Sequence, residues 1–280
     1  MGWSDVSPSR GVSSWRALMR PKSLHRFCVE PAQLSGGRVR FSSEQTHQIV
    51  RVLRMRPGDT VAVFDGTGAE HEAELITLSD GEATARVKGI RATVPEPALR
   101  LTLLQGLPRT EKMELIVQKA TELGVYRIVP LLCARSVSKG SGRLPRWRTI
   151  AREAAEQCGR AVVPTIGDPV PFTGFFAAEG GVALRGIALW EDEERRSLRE
   201  ALKLMVHAER LHLLVGPEGG LEPDEVSLAG DRGLVTASVG RRTLRTETAT
   251  LVALGVIQYE LGDLGLPRGS SADAGPINFA

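Results

Sequence analysis

The stretch from 213 to 250, which begins LLVGPEGG and ends VGRRTLRTETAT, holds the residues best placed to do chemistry in this chain. It contains two passages in which an apolar, strand-like run opens into a loop and then a helical pattern. The first loop is Gly216, Pro217, Glu218, Gly219 and Gly220. The second starts at Val239 and Gly240, and runs through Leu244, Arg245, Thr246 and Glu247 to Thr248 and Ala249. Glycine at the carboxyl end of a strand lets backbone amides approach a ligand that a side chain would hold off. In open α/β sheets that end of the strands is where ligands sit. Two such loops so close in sequence predict one small-molecule pocket, built mainly from backbone.

Other chemistries lack their residues. No G-x-G-x-x-G follows a strand and no Walker lysine loop occurs, so a Rossmann cofactor or nucleoside triphosphate site has no support. No Cys stands beside a His and no H-E-x-x-H is present, which removes the simplest thiol and zinc-hydrolase readings. Gly66, Thr67 and Gly68 lie between two strand-like runs and read as a hairpin connection.

The elements that must position these loops follow from pattern. Residues 38–90 read as a small β-rich unit. In it, Ser42 with Gln45 three residues on forms a capping-box pattern that opens a short helix to about residue 53. Residues 60–64 read as a strand after the Pro57-Gly58-Asp59 turn, and 71–77 and 83–90 alternate as half-buried antiparallel strands do. Residues 91–97, with Pro95 and Pro97, mark a domain boundary. Beyond it the rhythm is strand then helix. Residues 99–105 form a nearly continuous apolar strand, suited to a sheet covered on both faces. Thr110 reads as the cap of a helix whose stripe is Met113, Ile116, Val117, Ala120 and Leu123, with Gly124 as its stop. A strand over 125–132 precedes a second helical stripe from Trp147 to Cys158. Further strands fit 186–190, 211–215 and 234–238, with helices near 197–205 and 223–229. The last helix, over 246–261, is expected to bury Ala249, Val252, Ala253, Val256 and Ile257. Alternating β and α units imply a mostly parallel sheet with helices on both faces.

Composition narrows the class. A chain of 280 residues with 42% hydrophobic and 25% charged residues is that of an ordinary globular protein. No run of about 18 apolar residues exists, so no membrane helix is expected. The net charge of +3 permits nucleic-acid binding without requiring it. Its distribution says more: residues 10–56 hold ten Lys and Arg against only Glu30 and Glu44. That imbalance suits either a phosphate backbone or a solvated basic face. Cys28, Cys133 and Cys158 are sparse and unclustered, which points to a reducing, cytoplasmic compartment with no disulfide framework and no metal. Residues 1–23 read as a disordered leader, with a transit-like composition or an upstream start as the other readings, and 265–280 as a disordered tail.

The wording of both loops resembles one family. GPEGG and LRTETA are similar to the cofactor loops of the 16S ribosomal RNA uridine-N3 methyltransferases (the RsmE type), members of the SPOUT class. The likeness continues upstream in EKMELIVQKATELGV at 111–125, REAAEQCGR at 152–160, and near the N-terminus at 26–30 and 47–59. It covers roughly 24 to 264, in family order. The resemblance implies an α/β protein in two parts: a PUA-like β-barrel at 24–92 that binds RNA, then a SPOUT domain at 93–264 carrying a trefoil knot. It also implies a homodimer, S-adenosylmethionine as cofactor, and 16S ribosomal RNA or the small ribosomal subunit as partner.

What it implies for residues can be stated one by one. The two loops wrap the cofactor, with Leu189 and Glu191 at a strand end as a third edge and Leu244 as an apolar floor for the adenine. Glu218 bears on the ribose or the cationic end of the ligand, or else caps the helix that follows. Arg245 faces the substrate, where a guanidinium against a carbonyl stabilises the uracil anion formed when N3 loses its proton. Glu247 either takes part in catalysis or orders the loop by pairing with Arg241 or Arg245, and the proton acceptor is Glu247, water or a group of the RNA. RNA contacts are expected from Arg26, His47, Arg51, Arg54, Lys112, Lys119, Arg135, Arg152 and Arg160, for several of which a solvated helix face is the alternative. Two departures from the family pattern stand out: Ala134 precedes Arg135-Ser136 where an acid is usual, and Leu221-Glu222 follows Gly220 where Phe with Ser or Thr is common. A SPOUT enzyme for another RNA site such as a ribose 2′-hydroxyl, or a non-catalytic RNA-binding assembly factor, are the competing functions.

Overall fold

In the first part of the chain, alternation of apolar and polar residues produces a curled six-stranded sheet. The computed structural model describes residues 24–79, 81–138, 140, 142–180 and 183–266, so the expected leader at 1–23 and nearly all of the expected tail lie outside the described residues. The strands are β1 (Arg26–Cys28), β2 (Leu34–Ser35), β3 (Arg38–Arg40), β4 (Thr60–Phe64), β5 (Glu70–Leu78) and β6 (Ala83–Arg91), in the order β1-β4-β5-β6-β3-β2. Only β1 joins in parallel, beside β4. Register shifts in the β5–β6 pair, after Glu72 and after Leu75, bend the sheet over its core of Phe27, Val39, Ile49, Val61, Val63 and Leu75. The helix α1 (Ser43–His47) opens with the expected box, Ser42 and Gln45 capping each other, and runs on as a π-helical turn to Val52. Arg54 ends it at φ 53°, a left-handed conformation uncommon outside glycine.

The second part is a parallel sheet. Its strands are β7 (Arg100–Gly106), β8 (Arg127–Leu132), β9 (Thr165–Ile166), β10 (Val170–Pro171), β11 (Gly186–Leu189), β12 (Arg210–Val215) and β13 (Leu234–Ala237). They lie in the order β10-β8-β7-β12-β11-β13, with β9 also on β8. Helices cover both faces, which is why the central strands read as unbroken apolar runs rather than alternating ones. On one face α2 (Thr110–Glu122), α3 (Leu144–Cys158), α5 (Leu198–Lys203) and α7 (Thr246–Glu260) bury Met113, Trp147, Ala201 and Leu254 against Leu103 and Leu213. On the other, α4 (Phe172–Ala178) and α6 (Pro223–Asp231) bury Phe176 and Val226 against Leu104 and Leu214.

Several expectations change. Thr110 is not the cap of α2 but its first helical residue; Arg109 is the cap, and its N–H is satisfied by the carboxylate of Glu218 rather than locally. In α7 the buried residues include Thr246, Thr250, Ala253, Leu254, Ile257 and Gln258, while Val252 is 41% exposed. The stripe is rotated because Thr246 and Thr250 hydrogen-bond inward. The short helix α4 was not anticipated, since FTGFFAA is too short and too uniformly apolar to show a period.

The two sheets meet through buried polar contacts. Arg26 uses all five of its N–H donors there: two go to Glu70, and three to the carbonyls of Ala155, Glu156 and Arg160 at the end of α3, at 2.6–3.0 Å. Arg160 is likewise enclosed, paired to Glu96 at 2.5 Å and donating to the carbonyls of Thr121 and Val125. Both guanidiniums are committed to internal contacts rather than standing on a solvated face. Arginine's rigid fork suits such multiple carbonyl recognition. The β4–β5 hairpin at Asp65–Gly68 adds a bridge from Thr67 to Val162, and the Cys28 N–H donates to Glu156 Oε1 at 2.7 Å. No helix among the described residues is long and apolar enough to cross a membrane, and no cluster of potential metal ligands occurs among them.

Candidate functional site

Three neighbouring strands end side by side. Leu189 of β11 stands in register with Val215 of β12 on one side and Ala237 of β13 on the other. Together they floor a cleft of about 380 Å³ at the carboxyl edge of the sheet, a size and a position common for small-molecule sites. Its walls are the loops that follow: Trp190 and Glu191 after β11, Gly216 to Glu218 with Gly220 after β12, and Ser238 through Thr246 after β13. Ala249 and Lys112 complete it from α7 and α2.

The backbone of the first loop can come close because side chains are missing where it folds. Gly220 has φ +75°, and a Cβ there would collide with the carboxylate of Glu191. Gly216 packs against Gly220 and Leu221, and a Cβ on it would stand 3.0–3.1 Å from them. Gly219 differs. Its missing Cβ points away from the cleft at Arg135, whose Nη1 donates to the Gly219 carbonyl at 2.8 Å while Nε donates to Glu222 at 2.8 Å. Arg135 therefore braces the loop from behind, and Glu222 holds its guanidinium further from deprotonation than usual through that hydrogen bond and charge. Glu222 also caps α6 in a box with Glu225, and Glu225 Oε1 takes the N–H of Ala134. Leu221 keeps an apolar contact, 2% exposed.

A buried network ties the two loops together. Gln105, fully enclosed at the end of β7, donates to Thr246 Oγ1 at 3.1 Å and accepts from Thr250 Oγ1 at 2.7 Å. Thr246 Oγ1 donates in turn to the Gly216 carbonyl at 2.6 Å. The side-chain polar atoms of Gln105, Thr246 and Thr250 in this network all have partners, so α7 cannot slide relative to the first loop without stranding one.

At one end of the cleft three charges converge. Lys112 Nζ lies 3.5 Å from Glu218 and 3.2 Å from Glu247. Burial opposes ionisation of Glu218, but the N–H groups of Arg109 and Glu218 and the ammonium of Lys112 outweigh it and hold its pKa below the ordinary value. Glu218 thus serves α2, not the helix that follows it. Glu247 pairs with Lys112 rather than with Arg241 or Arg245, because its position in the first turn of α7 faces the start of α2. Outside the cleft lining, burial pushes the thiol of Cys133 up to about 12.

Most of the residues expected around a cofactor therefore come together. Leu189, Glu191, Gly216, Pro217, Glu218, Gly220, Val239, Gly240, Leu244, Arg245, Thr246 and Ala249 line one cleft. Gly219 lies behind it, and Thr248 is exposed on α7 outside the lining. Sequence reasoning missed Val215, Ala237 and Ser238 as lining and Gln105 as their anchor; a polar residue ending an apolar strand was the signal available for Gln105. The expected RNA residues do not form one group. Lys112 belongs to the cleft, Lys119 pairs with Glu122 on α2 at 2.8 Å, and Arg135 braces the glycine loop. His47, Arg51 and Arg54 are exposed at α1 and the turn after it, and Arg152 is exposed on α3 with Glu30 at 3.8 Å.

Comparison with known proteins adds an independent line. A model described as an RNA methyltransferase domain matches residues 95–258, and one described as an RNA methyltransferase PUA domain matches 41–88. The ribosomal RNA small subunit methyltransferase E of Synechocystis is 35% identical over 234 residues, 83% of this chain and 77% of that protein. The protein of the same name from Bacillus subtilis is 33% identical, covering 79% of this chain and 89% of its own. Among solved structures, ribosomal RNA small subunit methyltransferase E from Neisseria gonorrhoeae, bound to S-adenosyl methionine, superposes with a TM-score of 0.73 at 29% identity, covering 86% of this chain and 99% of that one. With the matching domain model spanning more than half of the residues and the glycine loops forming one cleft, the chain belongs to the ribosomal RNA small subunit methyltransferase E family.

Proposed function

We propose that this protein transfers a methyl group from S-adenosylmethionine to N3 of a uridine in the 16S ribosomal RNA of the small ribosomal subunit, in the cytoplasm. One observation carries the reading: the GPEGG and LRTETA loops are brought together, by Gln105 and Thr246, around a single cleft. The cleft suits that ligand. Its floor of Leu189, Val215 and Ala237 is apolar enough for an adenine, its glycine loop offers backbone at close range, and carboxylates stand at Glu191 and Glu218 for a ribose or a cation. When bound, the sulfonium supplies an electrophilic methyl, so the chain's task is to position groups and stabilise charge. The exposed guanidinium of Arg245, at the cap of α7, takes the uracil side.

The division at 24–92 and 93–264 fits these roles, with the curled sheet and the exposed His47, Arg51, Arg54 and Arg152 gripping RNA. A homodimer is supported by Leu115 on α2 and Val252 and Tyr259 on α7, all at least 39% exposed on two helices that pack together.

Two measurements test the proposal. Calorimetry should show S-adenosylmethionine binding to the wild type and none to Gly220→Val, whose side chain meets Glu191 at a left-handed φ. Mass mapping should show one N3-methyluridine missing from the ribosomal RNA of a deletion strain. Unchanged binding by Gly220→Val would move the cofactor elsewhere, and an unaltered uridine map would refute the substrate.

A further inference from the structure

The loop between β13 and α7 brings more positive charge to the cleft than a small-molecule site needs. Resting on the reading just given, we propose that Arg241 and Arg242 form a phosphate clamp that grips the RNA backbone beside the target uridine.

Both side chains are exposed, both line the cleft, and neither has a hydrogen bond or ion pair among the described residues. Guanidiniums elsewhere are occupied: Arg26, Arg135, Arg160, Arg185 and Arg232 each donate to backbone carbonyls. Arg241 and Arg242 therefore hold nothing of the fold together, yet the loop that bears them is fixed at both ends. At its start Ser238 Oγ accepts the Gly240 N–H at 3.3 Å and donates to the Gly240 carbonyl at 3.2 Å. The backbone of Ser238 is itself paired with Arg196 and Leu198. At its end the Thr246 hydroxyl is tied to the Gly216 carbonyl. An anchored loop that presents two unpaired cations is built to meet an anion.

Charge identifies which anion. In the lining, Lys112, Arg241, Arg242 and Arg245 stand against Glu191 and Glu218, an excess of cations. S-adenosylmethionine carries a sulfonium and an ammonium against one carboxylate, so it adds to that excess instead of balancing it. RNA supplies a phosphodiester at every nucleotide. The chemistry also brings those phosphates close. Uridine N3 lies on the edge that pairs with another base, so the target has to be unpaired and turned into the cleft, which draws its flanking backbone to the same wall. There the two guanidiniums neutralise the phosphates and release their counterions. Their task is one of charge, unlike that of Arg245, where a planar fork faces the uracil.

The experiment uses small ribosomal subunits from the deletion strain, whose target uridine is unmodified. Anisotropy of the labelled protein across a salt series measures binding, and steady-state kinetics separates KM from kcat. Replacing Arg241 and Arg242 together by Ala should weaken binding about tenfold or more at low salt, as lost hydrogen bonds to charged groups do. The slope of log affinity against log salt should fall by roughly 1.4, about 0.7 for each single-strand phosphate given up. The loss should fall on KM, with kcat moving far less. Replacing both by Lys should restore the slope, because counterion release follows charge. Thermal melts should coincide, and calorimetry should show the S-adenosylmethionine dissociation constant within about threefold of wild type, a change well below the charged-contact scale. An unchanged salt slope, or a lysine pair as weak as the alanine pair, would remove these residues from the phosphate contacts. Cofactor affinity falling as far as RNA affinity would make the anion the cofactor's carboxylate, and a loss confined to kcat would place the two arginines on the uracil; either overturns the clamp. In all these cases the wild type still methylates the subunits and the methyltransferase reading stands. A wild type that binds the cofactor and leaves the subunits unmethylated would instead overturn that reading and this one with it.

Discussion

Arg245 caps α7 with its side chain exposed in the cleft, one residue from Thr246, whose hydroxyl is locked to Gly216. A backbone fixed so firmly delivers a guanidinium to one place. Arg245→Ala should lower turnover by roughly a hundredfold, the scale of one lost electrostatic stabiliser, with the cofactor dissociation constant moving far less. Arg245→Lys should recover only part, since an ammonium cannot reproduce a planar fork. Steady-state kinetics beside calorimetry checks both, and an affinity loss equal to the rate loss would make Arg245 a binding residue. The glycines and LRTETA were legible in sequence because each is local: strand, turn and helix start lie within a few residues. Lys112 was not. Its spacing on α2 is that of any solvated lysine, and its place in the cleft depends on Glu218, more than a hundred residues away, reaching back to cap that helix. The same applies to Gly219, which differs from Gly220 only through Arg135.

Helix α3 ends where β1 begins to pack, and Glu156 sits between them with its carboxylate on the Cys28 N–H. Burial raises its pKa to about 7, against the opposing pull of that hydrogen bond and of the arginines nearby. A carboxyl whose folded pKa is raised favours the fold while protonated, so its contribution is complete at low pH and fades as pH rises from the ordinary range through about 7. Glu156→Gln keeps the acceptor and removes the charge. It should raise Tm at pH 8 by an amount on the order of 1–2 kcal/mol in stability and have little effect at pH 5. Thermal melts at the two pH values decide it, and equal shifts at both would sink the idea. The eight longer strands and most helices were readable from period and caps, with ends within about two residues, while the two- and three-residue strands β1, β2, β3, β9 and β10 were too short to show a period. The cap of α2 and the rotated face of α7 are set by contacts from distant segments, which no local period records, whereas α4 is too short and too uniformly apolar to show one.

For the molecule as a whole, the basic surface at α1 and the cleft lie on different sheets, and the proposed function has one RNA reach both. Replacing Arg51 and Arg54 together by Ala should weaken RNA binding and flatten its dependence on salt, with S-adenosylmethionine affinity unchanged. Filter binding across a salt series measures this, and an unaltered slope would remove these residues from the phosphate contacts. Arg26 bears on the same question. With its five donors fixed to Glu70 and to three carbonyls at the end of α3, Arg26 acts with the Cys28–Glu156 bond and the Arg160–Glu96 pair of the linker to set the spacing between basic surface and cleft. The chain is in that sense a ruler. A nucleotide inserted in the RNA between the gripped backbone and the target uridine would carry the target past the cleft, and lengthening the linker would not bring it back.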